Sequence, residues 1–270
     1  MKLSPQGMFG LMLIVVVAAA GLVSLFWTPL NPLGLNLGAR LQPPSAHNLF
    51  GTDEFGRDVF SRAMVGARIS LMISLLAVCF AVVVGTFVGI MAGYSRGFLD
   101  RVLMLCTNAL LAFPGILLAL GIIIIFGASI TGLVLALGLS FTPSVIRVVR
   151  STVLSLRQRE FIEASRTIGN SEGYTMFAHV LPNCIVPVIV LGTSMFGWVI
   201  LLESALSFLG VGISPPTPTW GNMLSGGRPF LESAPWLGIA PGICITVTLL
   251  GINLLGDALR DRYDPRMARA

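Results

Sequence analysis

Few residues in this 270-residue chain have types and spacings suited to chemistry, and they are scattered. The two histidines, His47 and His179, are separated by several long apolar segments and fall in different loops. Cys79, Cys106, Cys184 and Cys244 lie in or beside apolar runs with no C-x-x-C spacing, so they read as small buried thiols rather than disulfides or metal ligands. No H-E-x-x-H metal motif occurs. A phosphate-binding P-loop needs a lysine after its last glycine, and Lys2 is the only lysine. Any use of ATP, with its Mg, therefore falls to a partner, and no cofactor or metal site is expected in this chain. The remaining reactive group is Glu203, inside an apolar run. An acid there costs about 2.5–3.5 kcal/mol on insertion scales, so it must be paired, neutralised or facing water. That fits a pathway or subunit-interface residue, a structural hydrogen-bonding acid, or the coupling acid of an ion-driven transporter.

Those residues sit in a chain that is 55% hydrophobic and 11% charged, against about 25% charged for soluble domains. With a mean hydropathy of +0.88, it reads as a polytopic all-α membrane protein. The net charge of +5 is then no sign of nucleic-acid binding. Six spans are expected. The first, 8–27, is 20 residues long, which favours a retained span over the shorter core of a cleaved signal peptide. The others are placed at 70–94, from 102 to about 126, at 130–149, 184–211 and 236–255. Gly85, Gly89 and Gly93, four apart in the second span, suggest a close interhelical seam, with loose packing or bending as the alternative. Pro114 should kink the third span in its middle, which makes it a second pathway or interface candidate with a static kink as the alternative, and Pro143 should interrupt the fourth.

Three polar intervals carry the charge. The first, 28–69, opens on Pro29, Pro32, Pro43 and Pro44, so its start is extended or turned. Its second half holds Asp53, Arg57 and Asp58, where Thr52 or Asp53 could cap a short helix and acids could pair with arginines. It reads as a solvated, self-paired ledge or as a substrate contact. The Pro/Gly-rich 214–235 loop places Trp220, with Trp236 after it, as interfacial anchors. The third interval, 151–182, is expected to fold as a helix–turn–helix. Phe161, Ala164 and Ile168 share one helical face, and Glu163 can pair with Arg159 or Arg166 on another. Gly169 should end that helix, Asn170 or Ser171 should cap a second through Tyr174, Phe177 and Val180, and Pro182 should close it.

This third interval resembles a loop of ATP-binding-cassette importer permeases. They carry Glu-Ala-Ala, three residues, Gly, nine residues, then Ile-x-Leu-Pro. Here the matching residues are Glu163-Ala164-Ser165, Gly169 and His179-Val180-Leu181-Pro182, with Ser165 and His179 departing from the pattern. Two further stretches resemble the dipeptide, oligopeptide and nickel group. One is His47-Asn48-Leu49-Phe50-Gly51-Thr52-Asp53 through Gly56-Arg57-Asp58, with Phe50 in place of Leu. The other is the ending from Gly256-Asp257-Ala258 to Asp264-Pro265-Arg266. The resemblance implies a type I importer (MetI-like) permease fold of the "C" type. Its loop would be a cytoplasmic coupling helix, with Phe161, Glu163, Ala164, Ser165, Gly169 and Tyr174 at the contact with an ATPase. It also implies a homologous "B" permease, two ATPase subunits and an outer substrate-binding protein as partners. Short peptides are the first substrate expected, and nickel or a chelated metal the second.

Charge orients the chain. Placing the N-terminus, the 95–101 loop, 147–182 and the tail on one side gathers twelve of the seventeen cations there. The positive-inside rule makes that side cytoplasmic, in a bacterial inner membrane, with both termini inside. The chain thus divides into an N-terminal span and outer segment (1–69), a transmembrane core (70–258) and a cytoplasmic tail (259–270).

Overall fold

The computed structural model describes residues 4–95 and 97–263. Lys2, Arg96 and the Asp264-Pro265-Arg266 ending lie outside the described residues. Among the described residues ten α-helices follow in order. They are α1 (Pro5–Val23), α2 (Val59–Tyr94), α3 (Phe98–Leu111), α4 (Gly115–Phe126), α5 (Ile130–Leu156), α6 (Glu160–Thr167), α7 (Glu172–Thr175), α8 (Leu181–Phe208), α9 (Trp220–Gly227) and α10 (Trp236–Tyr263). Among the described residues no strand forms; Thr52 and Asp58 make one isolated bridge. Five stretches are long and apolar enough to cross a membrane, or six if the bent pair α3–α4 counts as one.

Three of the long helices, α1, α2 and α5, start where the sequence supplies a side-chain cap. Ser4 accepts the Gly7 amide at 3.2 Å with Pro5 in the first turn, and Asp58 accepts the Ser61 amide at 2.8 Å. Asp58, rather than Thr52 or Asp53, is thus the cap of α2, which begins well before the expected span. Its 36 residues measure roughly 54 Å, against about 30 Å of hydrocarbon.

The core is the pair α2 and α5. A Cβ at Gly85, Gly89 or Gly93 would lie 2.5, 2.8 or 2.8 Å from the Cβ of Val145, Val149 or Val153. The four-residue repeat on one helix thus receives a four-residue valine repeat on the other, and the expected seam is real. Around it pack Ile73, Ala77, Leu133, Leu137, Val188 and Val199. α1 lies along α10, and α8 contacts both α2 and α10.

Two prolines behave differently from expectation. Pro143 does not interrupt α5: it is buried, the helix runs through it, and the Thr142 hydroxyl donates to the Gly138 carbonyl at 2.7 Å. Pro114 does more than kink the third span. It is the residue before the first turn of α4, where its missing amide costs nothing, and α3 and α4 diverge by 98°.

Candidate functional site

The loop between α5 and α8 folds as a compact knob. Gly169 takes φ +93°, and its amide donates to the Arg166 carbonyl at 3.0 Å while that of Asn170 donates to Ser165 at 3.2 Å. These bonds form a Schellman ending for α6 that favours glycine. Ser171 then caps α7, accepting the Tyr174 amide at 3.2 Å. Pro182 does not close this second helix as the sequence suggests. The chain continues through a widened turn, Met176–Val180, directly into α8, so helix persists from Glu172 to Phe208. The widened turn lies where Pro182 withholds a donor.

The knob has two faces. Ile162, Ser165, Thr175 and Val180 are buried, whereas Phe161 is 43%, Ile168 80%, Tyr174 54% and Phe177 61% exposed. His179 stands edge-on to Phe161 and Tyr174, with centroids 6.4 and 5.8 Å away, and completes an outward aromatic cluster. Glu163, Ala164 and Gly169 share this outer surface. Ser165 does not, which corrects its placement at the contact. Its hydroxyl lies 3.0 Å from that of Thr175 and accepts from Asn170 at 3.1 Å, so it locks α6 onto α7. Glu163 is left outward because Arg166 turns instead to Glu172, at 3.4 Å, and to the Tyr94 hydroxyl. That hydroxyl, its largest influence, holds the Arg166 guanidinium above its ordinary range.

Neighbouring helix ends are tied together. Arg150 donates to Asp100 through two bonds of 2.6 and 2.8 Å, joining the end of α5 to the start of α3. Arg147 donates to Asn108 at 3.2 Å. Arg157 donates to the carbonyls of Gly93 and Tyr94 at 3.0 and 2.8 Å, a cation at the C-terminus of α2. Nothing in the sequence around Tyr94 signals this role.

At the opposite end of α2 the Asp53–Asp58 segment is a buried knot, not a solvated ledge. Asp53, Arg57, Asp58 and Arg62 are all under 9% exposed. Asp53 takes Arg57 at 2.6 Å and Arg62 at 3.5 Å, and also accepts the Phe55 and Arg57 amides at 2.9 and 3.0 Å. The Arg57 guanidinium lies 4.5 Å from the Phe55 ring centroid. A cavity of about 100 Å³ opens beside it, lined by Glu54, Arg62, Asn222 and Met223 among others. Trp220 is no interfacial anchor. It is fully buried, and its indole donates to the Ala63 carbonyl at 3.1 Å, as that of Trp236 does to Thr52 at 3.1 Å. The two indoles clamp α9 and α10 to the outer segment. The thiols also divide: Cys184 is buried, but Cys79 and Cys106 are exposed.

Glu203 has no exposed surface. Its Oε1 accepts from Ser207 at 2.9 Å, and the hydroxyls of Ser70, Ser204 and Thr219 lie around it without completing a bond to Oε2. The side chain faces the interior between α8, α2 and the start of α9. Pro114, in contrast, is exposed at the vertex of the α3–α4 bend. Two apolar hollows of about 400 and 390 Å³ run between α2 and α8, lined by residues such as Phe87, Phe177, Ile189 and Phe196.

Apolar helices of spanning length, paired through small residues and carrying a folded polar knob, define a membrane permease subunit. Comparison with known proteins gives the family. Residues 85–269 match the binding-protein-dependent transport system inner membrane components, and the chain belongs to that family. It is 42% identical over 255 residues to the dipeptide transport system permease protein DppC of Alkalihalophilus pseudofirmus, covering 94% of this chain and 82% of that one. Over 224 residues it is 42% identical to the glutathione transport system permease protein GsiD of Escherichia coli, covering 83% and 74%. A crystal structure of an amino acid ABC transporter with histidines shares the fold, with a TM-score of 0.54, 17% identity, and coverage of 77% of this chain and 94% of that one. The chain is thus a multi-pass inner-membrane transport subunit of an ABC importer and not an enzyme. Membership implies an ATPase and a substrate-binding partner.

Proposed function

We propose that this chain forms half of the translocation pathway of an importer of short peptides, with the α6–α7 knob as the docking surface for an ATPase. The outward face of Phe161, Ile168, Tyr174 and Phe177 carries this reading. It is a large apolar surface on a rigid, polar-rimmed projection beyond the spans. Glu163, Ala164 and Gly169 lie on the same side of it. The cation distribution supports a cytoplasmic position for the knob and for both termini. The second half of the pathway would be a homologous permease, and two ATPase subunits would hold ATP and Mg. An outer binding protein would deliver substrate near the Asp53–Asp58 knot and Trp220. ATP-driven closure of the ATPases would swing the spans between inward- and outward-open states, each partner favouring the state it binds best. Peptides are the substrate class favoured by relatives named for dipeptide and glutathione transport. Enclosure of Glu203 argues against ion-coupled transport through that residue.

The test replaces Glu163→Lys or Gly169→Asp in the assembled importer. At Gly169 no atom lies within 4 Å of a new Cβ, so the change strains the turn without a clash and the chain should still insert. Both variants should reach the membrane at wild-type levels while ATPase co-purification and uptake of labelled dipeptide fall. Normal ATPase binding and uptake in both would refute the docking assignment. Uptake of nickel but not dipeptide by the wild type would refute the substrate class.

A further inference from the structure

Tyr94 ends α2, half-buried, where that helix meets the knob. Its hydroxyl donates to the Glu172 carboxylate and accepts from Arg166 at 3.4 Å. Glu172 opens α7 and Arg166 lies in the last turn of α6, so one hydroxyl holds both sides of the Gly169 turn. The guanidinium carbons of Arg157 and Arg166 lie 5.3 and 5.7 Å from the Tyr94 ring centroid. Arg157 also binds the carbonyls of Gly93 and Tyr94, one turn beyond the Val153 that packs on Gly93. The Arg166–Glu172 pair is 34% and 64% exposed and would contribute little alone. With the phenol between them and two cations at its ring, the contacts become a network joining three elements.

We infer that Tyr94 is a positioning residue that passes displacement of the knob into α2, which moves with α5 as one body because the glycine seam joins them. This rests on the docking reading above. Chain connectivity joins the knob to α5 only through the 157–159 turn; the Tyr94 contacts brace the knob directly against the end of α2. Without the hydroxyl, the knob could follow an ATPase by pivoting on that turn while α2 and α5 lagged behind together.

The experiment uses the complete importer with spin labels at exposed Val83 of α2 and exposed Leu250 of α10, in a background with Cys79 and Cys106 replaced by alanine. The wild type should show a change in the label distance on adding ATP. Tyr94→Phe keeps the ring and loses the hydroxyl: the ATPase should still co-purify, but the ATP-dependent change should be lost. Glu172→Gln keeps an acceptor for the hydroxyl and should retain the change, whereas Glu172→Ala should lose it. A purely structural role would lower membrane level or ATPase binding and not separate these pairs. A wild-type shift in Tyr94→Phe, or no ATP-dependent shift in the wild type, overturns the inference. If Phe161→Ala combined with Ile168→Asp leaves ATPase binding intact, the docking reading itself fails and this inference with it.

Discussion

Replacing Gly85 with alanine tests the α2–α5 seam most sharply. The new Cβ would lie 2.5 Å from Val145 Cβ, 2.8 Å from its Cγ1 and 3.1 Å from the Thr142 carbonyl. Carbon atoms pack at about 3.5–4.0 Å, so the closest contact is short by at least ~1 Å. Rotating Val145 gives no relief, because its own Cβ is the colliding atom and is fixed by the backbone. The helices must part. Opening by ~1 Å forfeits about a quarter to a half of each affected contact's attraction, and Gly89 and Gly93 share the same seam. Overpacking of this kind costs about 1–3 kcal/mol, or roughly 5- to 150-fold in an equilibrium constant. The assay is thermal unfolding of the purified chain in nanodiscs, with Gly85→Ala expected to unfold at a lower temperature. Adding Val145→Ala removes only the Cγ collision and should rescue little. Adding Val145→Gly removes both and should restore most of the loss, less about 1 kcal/mol for glycine in a helix. A wild-type melting temperature for Gly85→Ala, or equal rescue by both second substitutions, would refute the geometry.

Two further outcomes concern the outer end. Asp53→Ala leaves Arg57 and Arg62 buried without their shared carboxylate, which should cost about 3–5 kcal/mol and expose residues 28–58 to added protease. Arg57→Ala should cost less, since Arg62 still meets Asp53 at 3.5 Å; equal protease sensitivity would contradict the shared-acid arrangement. Trp220→Ala should destabilise by about 3–5 kcal/mol through the cavity left, and Trp220→Phe by about 0.5–1.5 kcal/mol through the lost indole hydrogen bond, since the Ala63 carbonyl keeps its helical partner within α2. Acrylamide should leave a blue-shifted emission component in the wild type, and that component should vanish in both variants.

How much the sequence revealed depended on whether the cause was local. The Gly85–Gly89–Gly93 repeat and the Gly169 turn are local: spacing of four implies one helical stripe, and a positive φ favours glycine wherever it occurs. The two prolines show the limit. Pro143 and Pro114 carry the same intrinsic handicap, yet buried Pro143 is held within a packed helix while exposed Pro114 marks the 98° break. Only the neighbours decide that. The same holds for Trp220 and the arginines of the outer knot. Their composition reads as a surface loop until α9 and α10 fold over it, and no periodicity in residues 28–69 reports that cover. Ser165 shows it at one position. Its place in the motif suggested the contact surface, but a hydroxyl partner ten residues later, Thr175, turned it inward.

The unbroken course of α2 has a mechanical consequence. Its capped start sits in the Asp53–Arg57–Arg62 knot and its last residue is gripped by Arg157, Arg166 and Glu172. A beam of roughly 54 Å that tilts ~10° about its midpoint carries each end about 5 Å, in opposite directions. Leverage of that kind needs no relay of rearranging side chains between the two membrane faces.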